Sequence, residues 1–202
     1  MLDKTIIARL KPVLTILAQR LVAQGVSPNQ VTILGFVLGL LTLPALYFDC
    51  YSIAIILIML NRLADGLDGA IARLQQPTDR GAFLDITLDF LFYSAIPLGF
   101  ALANPAQNAL AAAVLIYAFI GTGCSFLAFA IIAAKRGLTS TAYTEKGFYY
   151  LGGLTEATET IAVFILMCLF PSYFPVLAYS FAALCFMTTA LRIKAGWEVF
   201  DS

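Results

Sequence analysis

Two stretches of sequence decide what this protein can be: Asp65-Gly-Leu-Asp68-Gly69-Ala-Ile-Ala72-Arg73 and, after a spacer of seven residues, Gly81-Ala-Phe-Leu-Asp85-Ile-Thr-Leu-Asp89. They bridge two strongly apolar segments, so four aspartates fall where helices are predicted to cross a membrane. An ionisable residue within such a helix costs about 2.5 to 3.5 kcal/mol on insertion scales. We therefore expect the carboxylates to recover this cost by binding a cation, and a metal site is the first candidate.

The composition is typical of a polytopic membrane protein. Of 202 residues, 61% are hydrophobic and only 12% are charged, which lies outside the range of ordinary soluble domains. The twelve Lys and Arg balance the twelve Asp and Glu, so the net charge predicts no nucleic-acid partner. The chain has no histidine and four widely spaced cysteines, which argues against a zinc site and leaves carboxylates as the candidate acids and bases.

Apolar runs of about twenty residues, the length that crosses about 30 Å of hydrocarbon, predict the membrane spans. The six runs are 30–49, 52–73, 82–103, 108–134, 147–170 and 173–193. The sequence therefore predicts an all-α polytopic membrane protein whose six transmembrane helices form one domain, residues 27–202.

Basic residues indicate the orientation of these spans. Those on one side of a six-span arrangement are Lys4, Arg9, Lys11, Arg20, Arg73, Arg80, Lys135, Arg136, Lys146, Arg192 and Lys194. The loops on the other side, near residues 50, 105 and 172, contain no Lys or Arg. By the positive-inside rule, both termini and the aspartates face the cytoplasm. Arg62 is the exception, because it lies within the second span.

Residues 1–26 are predicted to form an amphipathic helix on the cytoplasmic surface of the membrane, with Pro12 as the place for a kink. Its apolar positions recur at helical spacing, and basic residues interrupt them, so we expect no signal peptide here. The alternative is a frayed basic tail. Ser27-Pro28-Asn29 then predicts a turn and a helix start, with Ser27 or Asn29 as the cap.

Helical phase places the aspartates together. At about 100° per residue, one face of the second span is polar. That face carries Asn61, Arg62, Asp65, Asp68, Gly69, Ala72 and Arg73. On the third span, Gly81, Asp85 and Asp89 recur every four residues, and the short connection makes the two helices antiparallel neighbours. We therefore expect four carboxylates to converge between two helices.

Carboxylate oxygens without nitrogen or sulfur ligands select Mg²⁺ or Mn²⁺, or Ca²⁺, over zinc or copper. Four carboxylates around one small ion leave excess negative charge. This favours either two ions or one ion beside a carboxylate that acts as a base. Gly69 and Ala72 leave room for a ligand to reach the helix, and Arg73 supplies a fork suited to phosphate. The sequence therefore predicts a metal-bridged diphosphate site.

The spacing of these residues resembles the signature of the CDP-alcohol phosphatidyltransferases. The eight positions that carry the resemblance are Asp65, Asp68, Gly69, Ala72, Arg73, Gly81, Asp85 and Asp89. Pro28-Asn29-Gln-Val-Thr32 is also similar to the opening of that family's first span. The segments 79–90 and 152–160 look more like a bacterial inner-membrane branch, whose acceptor the sequence leaves unassigned.

The resemblance implies a six-helix enzyme of phospholipid biosynthesis, usually a homodimer, at the cytoplasmic face of the inner membrane. Such an enzyme transfers a phosphatidyl group from a CDP-linked donor, most often CDP-diacylglycerol, to the hydroxyl of an acceptor alcohol and releases CMP. The same resemblance implies that Asp65, Asp68 and Asp85 hold two ions of Mg²⁺ or Mn²⁺, while Asp89 completes that shell and is the catalytic base. The residues implied to lie along the CDP moiety are Gly69, Ala72, Arg73 and Gly81, with Thr32 near it.

Glu156 and Glu159 are the second polar feature, in the predicted fifth span, where they share a face with Gly152 and Thr160. One interpretation is an acceptor pocket, since carboxylates accept hydrogen bonds from a polyol or pair with an amine. The other is an intramembrane partner for Arg62 or Lys146.

Two other classes of protein remain as alternatives. A non-catalytic scaffold of the same fold would be expected to lose at least one aspartate, and a carboxylate-based ion transporter would more often show repeated halves and charges near mid-membrane. All four aspartates are present, and no internal repeat is visible. These observations favour an enzyme.

Overall fold

The computed structural model describes residues 2–137 and 155–201, with side chains from residue 11 onward, and its regular elements in these ranges are helices. In chain order they are α1 (Leu2–Ala23), α2 (Pro28–Leu40), α3 (Thr42–Tyr47), α4 (Tyr51–Gln75), α5 (Asp79–Ala103), α6 (Pro105–Lys135), α7 (Ala157–Leu169) and α8 (Phe174–Phe200), with a 3-10 turn at Pro171–Tyr173. The predicted all-α class is confirmed.

Four segments of the described chain are long and apolar enough to cross a membrane. They are Pro28–Tyr47, Asp79–Ala103, Pro105–Lys135 and Pro171–Phe200, which correspond to the first, third, fourth and sixth predicted spans. Helix α4 corresponds to the second and has 25 residues, but residues 62–73 of it carry four charged side chains, Arg62, Asp65, Asp68 and Arg73. Of the fifth, the described part is the short apolar helix α7, and Lys146 and Gly152 lie outside the described residues. Six spans therefore stay a prediction.

The N-terminal segment forms a helix, α1, with Pro12 inside it. Leu14 and Val22 pack with Ala18 against Ala70 and Ile71 on α4. Helix α1 therefore supports the back of the helix that carries two of the aspartates. Its position at the membrane surface stays a prediction.

Ser27 is the cap of α2. Its hydroxyl accepts a hydrogen bond from the Gln30 amide at 3.4 Å, and the Gln30 side chain accepts one from the Ser27 amide at 2.9 Å. This reciprocal pair satisfies amides that the first turn leaves without partners. Of the two predicted caps, Ser27 is confirmed, and the fixed helix start places Thr32, one turn later, against α4.

An aromatic core holds α5 in place. Phe92, Phe100, Phe164 and Phe174 are fully buried, and the rings of Phe100 and Phe174 stack at 4.4 Å. Helix α5 packs on this core and also against α2 and α3. Packing on both sides fixes its rotation, so the face bearing Asp85 and Asp89 is turned toward α4.

Gly35 lets α2 approach α4 closely. A Cβ atom at Gly35 would stand 2.6 Å from the Cβ of Ala64. We expect Gly35→Ala to lower the free energy of unfolding by about 1 to 3 kcal/mol, because the helices must separate. Thermal unfolding in detergent measures this. The matched control is Gly196→Ala, whose new Cβ would meet nothing nearer than 3.6 Å. Equal unfolding temperatures for the two variants would contradict the prediction.

Candidate active site

The four aspartates and Arg62 line one small cavity between α2, α4 and α5. Its lining residues are Thr32, Gly35, Phe36, Asn61, Arg62, Asp65, Asp68, Asp85, Leu88 and Asp89, and its volume is about 20 Å³. One water molecule needs about 10 to 15 Å³ on this measure, so the space suits a water molecule or a single ion. The structure thus brings together the carboxylates that the sequence predicted to converge.

A second cavity, of about 480 Å³, adjoins the first at the connection between α4 and α5. The two share Thr32, Asp68 and Asp85 as lining residues. Its volume is typical of pockets for small ligands. All five residues implied to contact the CDP moiety line it: Thr32, Gly69, Ala72, Arg73 and Gly81. The structure places these residues together, while their roles stay predictions.

Asp68 stands at the junction of the two cavities and is only 5% exposed. The Thr32 hydroxyl donates a hydrogen bond to Asp68 Oδ2 at 2.5 Å, which joins α2 to α4. A hydrogen bond to a carboxylate is among the stronger ones in proteins. Thr32 therefore fixes the carboxylate that faces both spaces.

The rim of the larger cavity includes the start of α5. Thr78 caps this helix by accepting a hydrogen bond from the Gly81 amide at 3.1 Å. A Cβ atom at Gly81 would stand 3.1 Å from the Thr78 hydroxyl and 3.2 Å from Asn29 Oδ1, so glycine keeps this rim open. The positive end of the helix macrodipole lies here, which favours a negatively charged ligand nearby.

Arg62 is a site residue that the sequence analysis left as an exception in the membrane. Its Nη2 lies 2.6 Å from Asp89 Oδ1, and its Nη1 lies 3.5 Å from Asp65 Oδ2. The interpretation that Glu156 or Glu159 pairs with Arg62 is therefore wrong. The signal that could have found the correct partners is the helical phase, since Arg62 and Asp65 share a face three residues apart.

Glu156 and Glu159 lie at the start of α7, both half-buried. The Glu159 carboxylate accepts a hydrogen bond from the Glu156 amide at 3.2 Å, and Arg192 on α8 lies within electrostatic range of Glu156. Neither glutamate lines the two cavities described above. The structure therefore does not bring them to the aspartates, and their acceptor role stays a prediction.

The residues at the small cavity fit a hard divalent cation by donor type and by charge. Four carboxylates stand against one guanidinium, which leaves three negative charges to compensate. Carboxylate oxygens are the ligands that Mg²⁺ and Mn²⁺ prefer. Within residues 2–137 and 155–201, no three acidic, cysteine or histidine side chains form a ready-made metal group. Here Asp65 and Asp89 contact Arg62 instead, and Asp68 accepts a hydrogen bond from Thr32.

Relatives of the chain are found in bacteria and archaea. The inner membrane protein YnjF of Escherichia coli (strain K12) is 53% identical over 202 residues, which cover all of this chain and 98% of that protein. The archaetidylinositol phosphate synthase of Pyrococcus horikoshii is 35% identical over 97 residues, 48% of this chain and 52% of that protein.

The fold is similar to a solved structure, the Mycobacterium tuberculosis phosphatidylinositol phosphate synthase with CDP-DAG bound. The TM-score is 0.68 at 23% identity, over 92% of this chain and 94% of that chain. Residues 25–193 match the family model of the CDP-alcohol phosphatidyltransferases. Since that match spans well over half of the sequence, this protein belongs to the CDP-alcohol phosphatidyltransferase family.

Proposed function

We propose that this protein transfers a phosphatidyl group from a CDP-linked lipid, with CDP-diacylglycerol as the favoured donor, to the hydroxyl of an acceptor alcohol, and releases CMP. One observation carries the proposal: a cavity lined by four aspartates shares Thr32, Asp68 and Asp85 with an adjoining larger cavity that is lined by motif residues. A group held at this junction contacts both spaces. The junction suits a diphosphate between a metal site and a nucleotide pocket.

The larger cavity supplies the features that a CDP group needs. Arg73 offers a planar fork for phosphate oxygens, and Gly69 and Gly81 leave the helix backbones accessible. The start of α5 adds the positive end of its macrodipole. The solved relative of this fold holds CDP-DAG, which supports a donor of that class.

Asp65, Asp68 and Asp85 would hold Mg²⁺ or Mn²⁺ as two ions, with Asp89 completing the shell. When bound, these ions would neutralise negative charge on both phosphates of the donor and so stabilise the transition state. Because Asp68 and Asp85 line both cavities, metal held by them would lie close to the diphosphate of a donor bound in the larger cavity.

Asp89 acts as the base in the proposed reaction. It takes the proton of the acceptor hydroxyl, and the resulting oxygen attacks the phosphorus distal to cytidine. The bond from that phosphorus to the bridging oxygen breaks, and CMP leaves with the bridging oxygen and its electron pair. Asp89 then releases the proton to water, which restores the carboxylate.

We also propose a cytoplasmic site, cytoplasmic termini and a homodimer. The orientation is supported by the basic residues, which include Arg73 in the lining of the larger cavity and Arg80 next to Gly81 in the sequence. The location is supported by the relative named an inner membrane protein and by the four membrane-length helices. The homodimer is supported by the family resemblance.

Release of CMP tests the function. Purified protein with CDP-diacylglycerol, a lipid extract and a pool of candidate alcohols should release CMP, stop when EDTA is added, and resume with Mg²⁺ or Mn²⁺. Omitting the alcohols and the extract is the matched control, and it should leave only slow hydrolysis. CMP release that does not depend on metal, or no CMP release with any CDP-linked donor, would contradict the proposed function.

The acceptor site is tested at Glu156 and Glu159. If they bind the acceptor, Glu156→Gln and Glu159→Gln should raise the acceptor KM by about tenfold or more, with the donor KM near wild type. If Glu156 instead compensates the charge of Arg192, Glu156→Gln should lower the melting temperature and weaken the binding of both substrates, because the partly buried guanidinium loses that compensation. A stable protein with an unchanged acceptor KM would exclude both roles.

A further inference from the structure

Arg62 lies in the middle of α4 with only 15% of its side chain exposed. A buried cation is tolerated only when it is paired and hydrogen-bonded. Its nearest ionic partner is Asp89, at 2.6 Å, and Asp65 is more distant, at 3.5 Å. The arginine therefore distinguishes one carboxylate of the cluster, and Asp89 is the one proposed to act on the acceptor.

The guanidinium is held on several sides, which fixes its orientation. Its Nη1 donates to the Tyr93 hydroxyl at 3.2 Å, and its Nε and Nη2 donate to Asn61 Oδ1 at 2.8 and 2.6 Å. The rings of Phe92 and Tyr93 lie 4.8 and 5.3 Å from Cζ, within the range of cation–π contact. A lysine at this position could not make these contacts at once, because its ammonium is a point charge.

The two ends of the carboxylate cavity are held by different groups. Thr32 holds Asp68 at the end of the small cavity that adjoins the larger cavity. Arg62 holds Asp89 and lines only the small cavity, as Asp89 also does. The donor side and the base therefore have separate supports.

We infer that Arg62 is a positioning residue of the transfer reaction: its fixed guanidinium binds Asp89 Oδ1 and holds the base in the orientation that meets the acceptor hydroxyl. This inference rests on the proposed function, with Asp89 as base. Arg62 acts through Asp89 and does not line the larger cavity, where the donor is proposed to bind. A small displacement of a catalytic group costs about 100-fold in rate, so the loss of this support should be large.

The first test separates turnover from donor binding. Arg62→Met should lower kcat by about 100-fold while the donor KM changes by less than about threefold. Arg62→Lys keeps the charge but loses the fork, so it should recover little of this loss. The matched control is Arg136→Met, which removes an arginine that also binds a carbonyl, at 2.7 Å, and an aromatic ring, at 5.4 Å, but lines neither cavity. It should turn over as wild type does.

The second test needs no turnover. Mn²⁺ titration of the donor-free protein should show that Arg62→Met binds the metal at least as tightly as wild type, because a positive charge has been removed nearby. A tenfold or greater loss of Mn²⁺ affinity would overturn the inference, since Arg62 would then serve the metal site.

Tyr93→Phe is a second variant for the case in which Arg62→Met does not fold. It removes one hydrogen-bond acceptor of the guanidinium but retains the ring, so it should lower kcat without raising the donor KM. Normal kcat in Arg62→Lys and Tyr93→Phe, or a donor KM that rises in step with the lost kcat, would overturn the inference. If wild type itself releases no CMP, the proposed function fails and the inference falls with it. If wild type is active and Arg62→Met matches it, the inference alone fails.

Discussion

Asp89→Asn is expected to lower kcat by about 10²- to 10⁴-fold, because the amide cannot take the proton of the acceptor hydroxyl. The affinity for the CDP donor should fall far less, because Asp89 lines only the small cavity. The donor is proposed to bind in the larger cavity, which shares Asp68 and Asp85 with the small one but not Asp89. Single-turnover kinetics and equilibrium binding of the donor measure the two effects separately. Some loss of donor affinity is expected from the proposed part of Asp89 in the metal shell.

The matched control for this variant is Asp79→Asn, which removes an exposed carboxylate from the same helix outside both cavities. It should leave kcat within about threefold of wild type, as surface substitutions usually do. Near-normal turnover in Asp89→Asn would show that another group is the base.

Asp68→Asn is expected to weaken the binding of metal and of donor together, each by about 100-fold or more. Asp68 is nearly fully buried and faces both cavities, so its loss removes a proposed metal ligand at the point where the diphosphate is proposed to lie. Asp65→Asn should reduce metal affinity with a smaller effect on the donor, because Asp65 lines the small cavity only. Mn²⁺ titration gives the metal affinity, and equilibrium binding of the donor gives the donor affinity.

Thr32→Val tests the contribution of the hydrogen bond that holds Asp68. It keeps the shape of the side chain, removes the hydroxyl that donates at 2.5 Å, and should cost about tenfold in metal affinity. If Asp68→Asn loses Mn²⁺ while its donor affinity, measured at the same Mn²⁺ concentration, stays at the wild-type value, the metal does not bridge protein and diphosphate.

Helical spacing alone predicted which residues of α4 and α5 face one another. Asp65 and Asp68 lie three residues apart, Asp85 and Asp89 lie four apart, and a short connection makes their helices neighbours. The structure brings these four together at one cavity. The cap at Ser27 could also be predicted, because it depends on neighbouring residues: Gln30 stands at the position that a capping box requires.

Contacts between distant segments escaped the sequence. Arg62 reaches Asp89 across 27 positions of the chain, and the rotation of α5 that allows this is set by core packing around Phe92 and Phe100. The neighbour of Glu156 is Arg192, which depends on how α7 packs on α8. Hydropathy also treated α4 as an ordinary span, whereas its charged half is stabilised by partners on other helices.

A backbone atom begins the line of contacts that ends at Asp89. The carbonyl of Gly35 accepts a hydrogen bond from Asn61 Nδ2 at 2.9 Å, Asn61 Oδ1 accepts from Arg62, and Arg62 binds Asp89. Every amino acid carries that carbonyl, so an exchange at position 35 can break this link only by displacing α2, whereas a substitution of Asn61 removes the donor itself. The placement of the proposed base is therefore tied to the tilt of α2, and we expect forces that change this tilt, such as a change in bilayer thickness, to alter the rate of transfer without contacting a catalytic group.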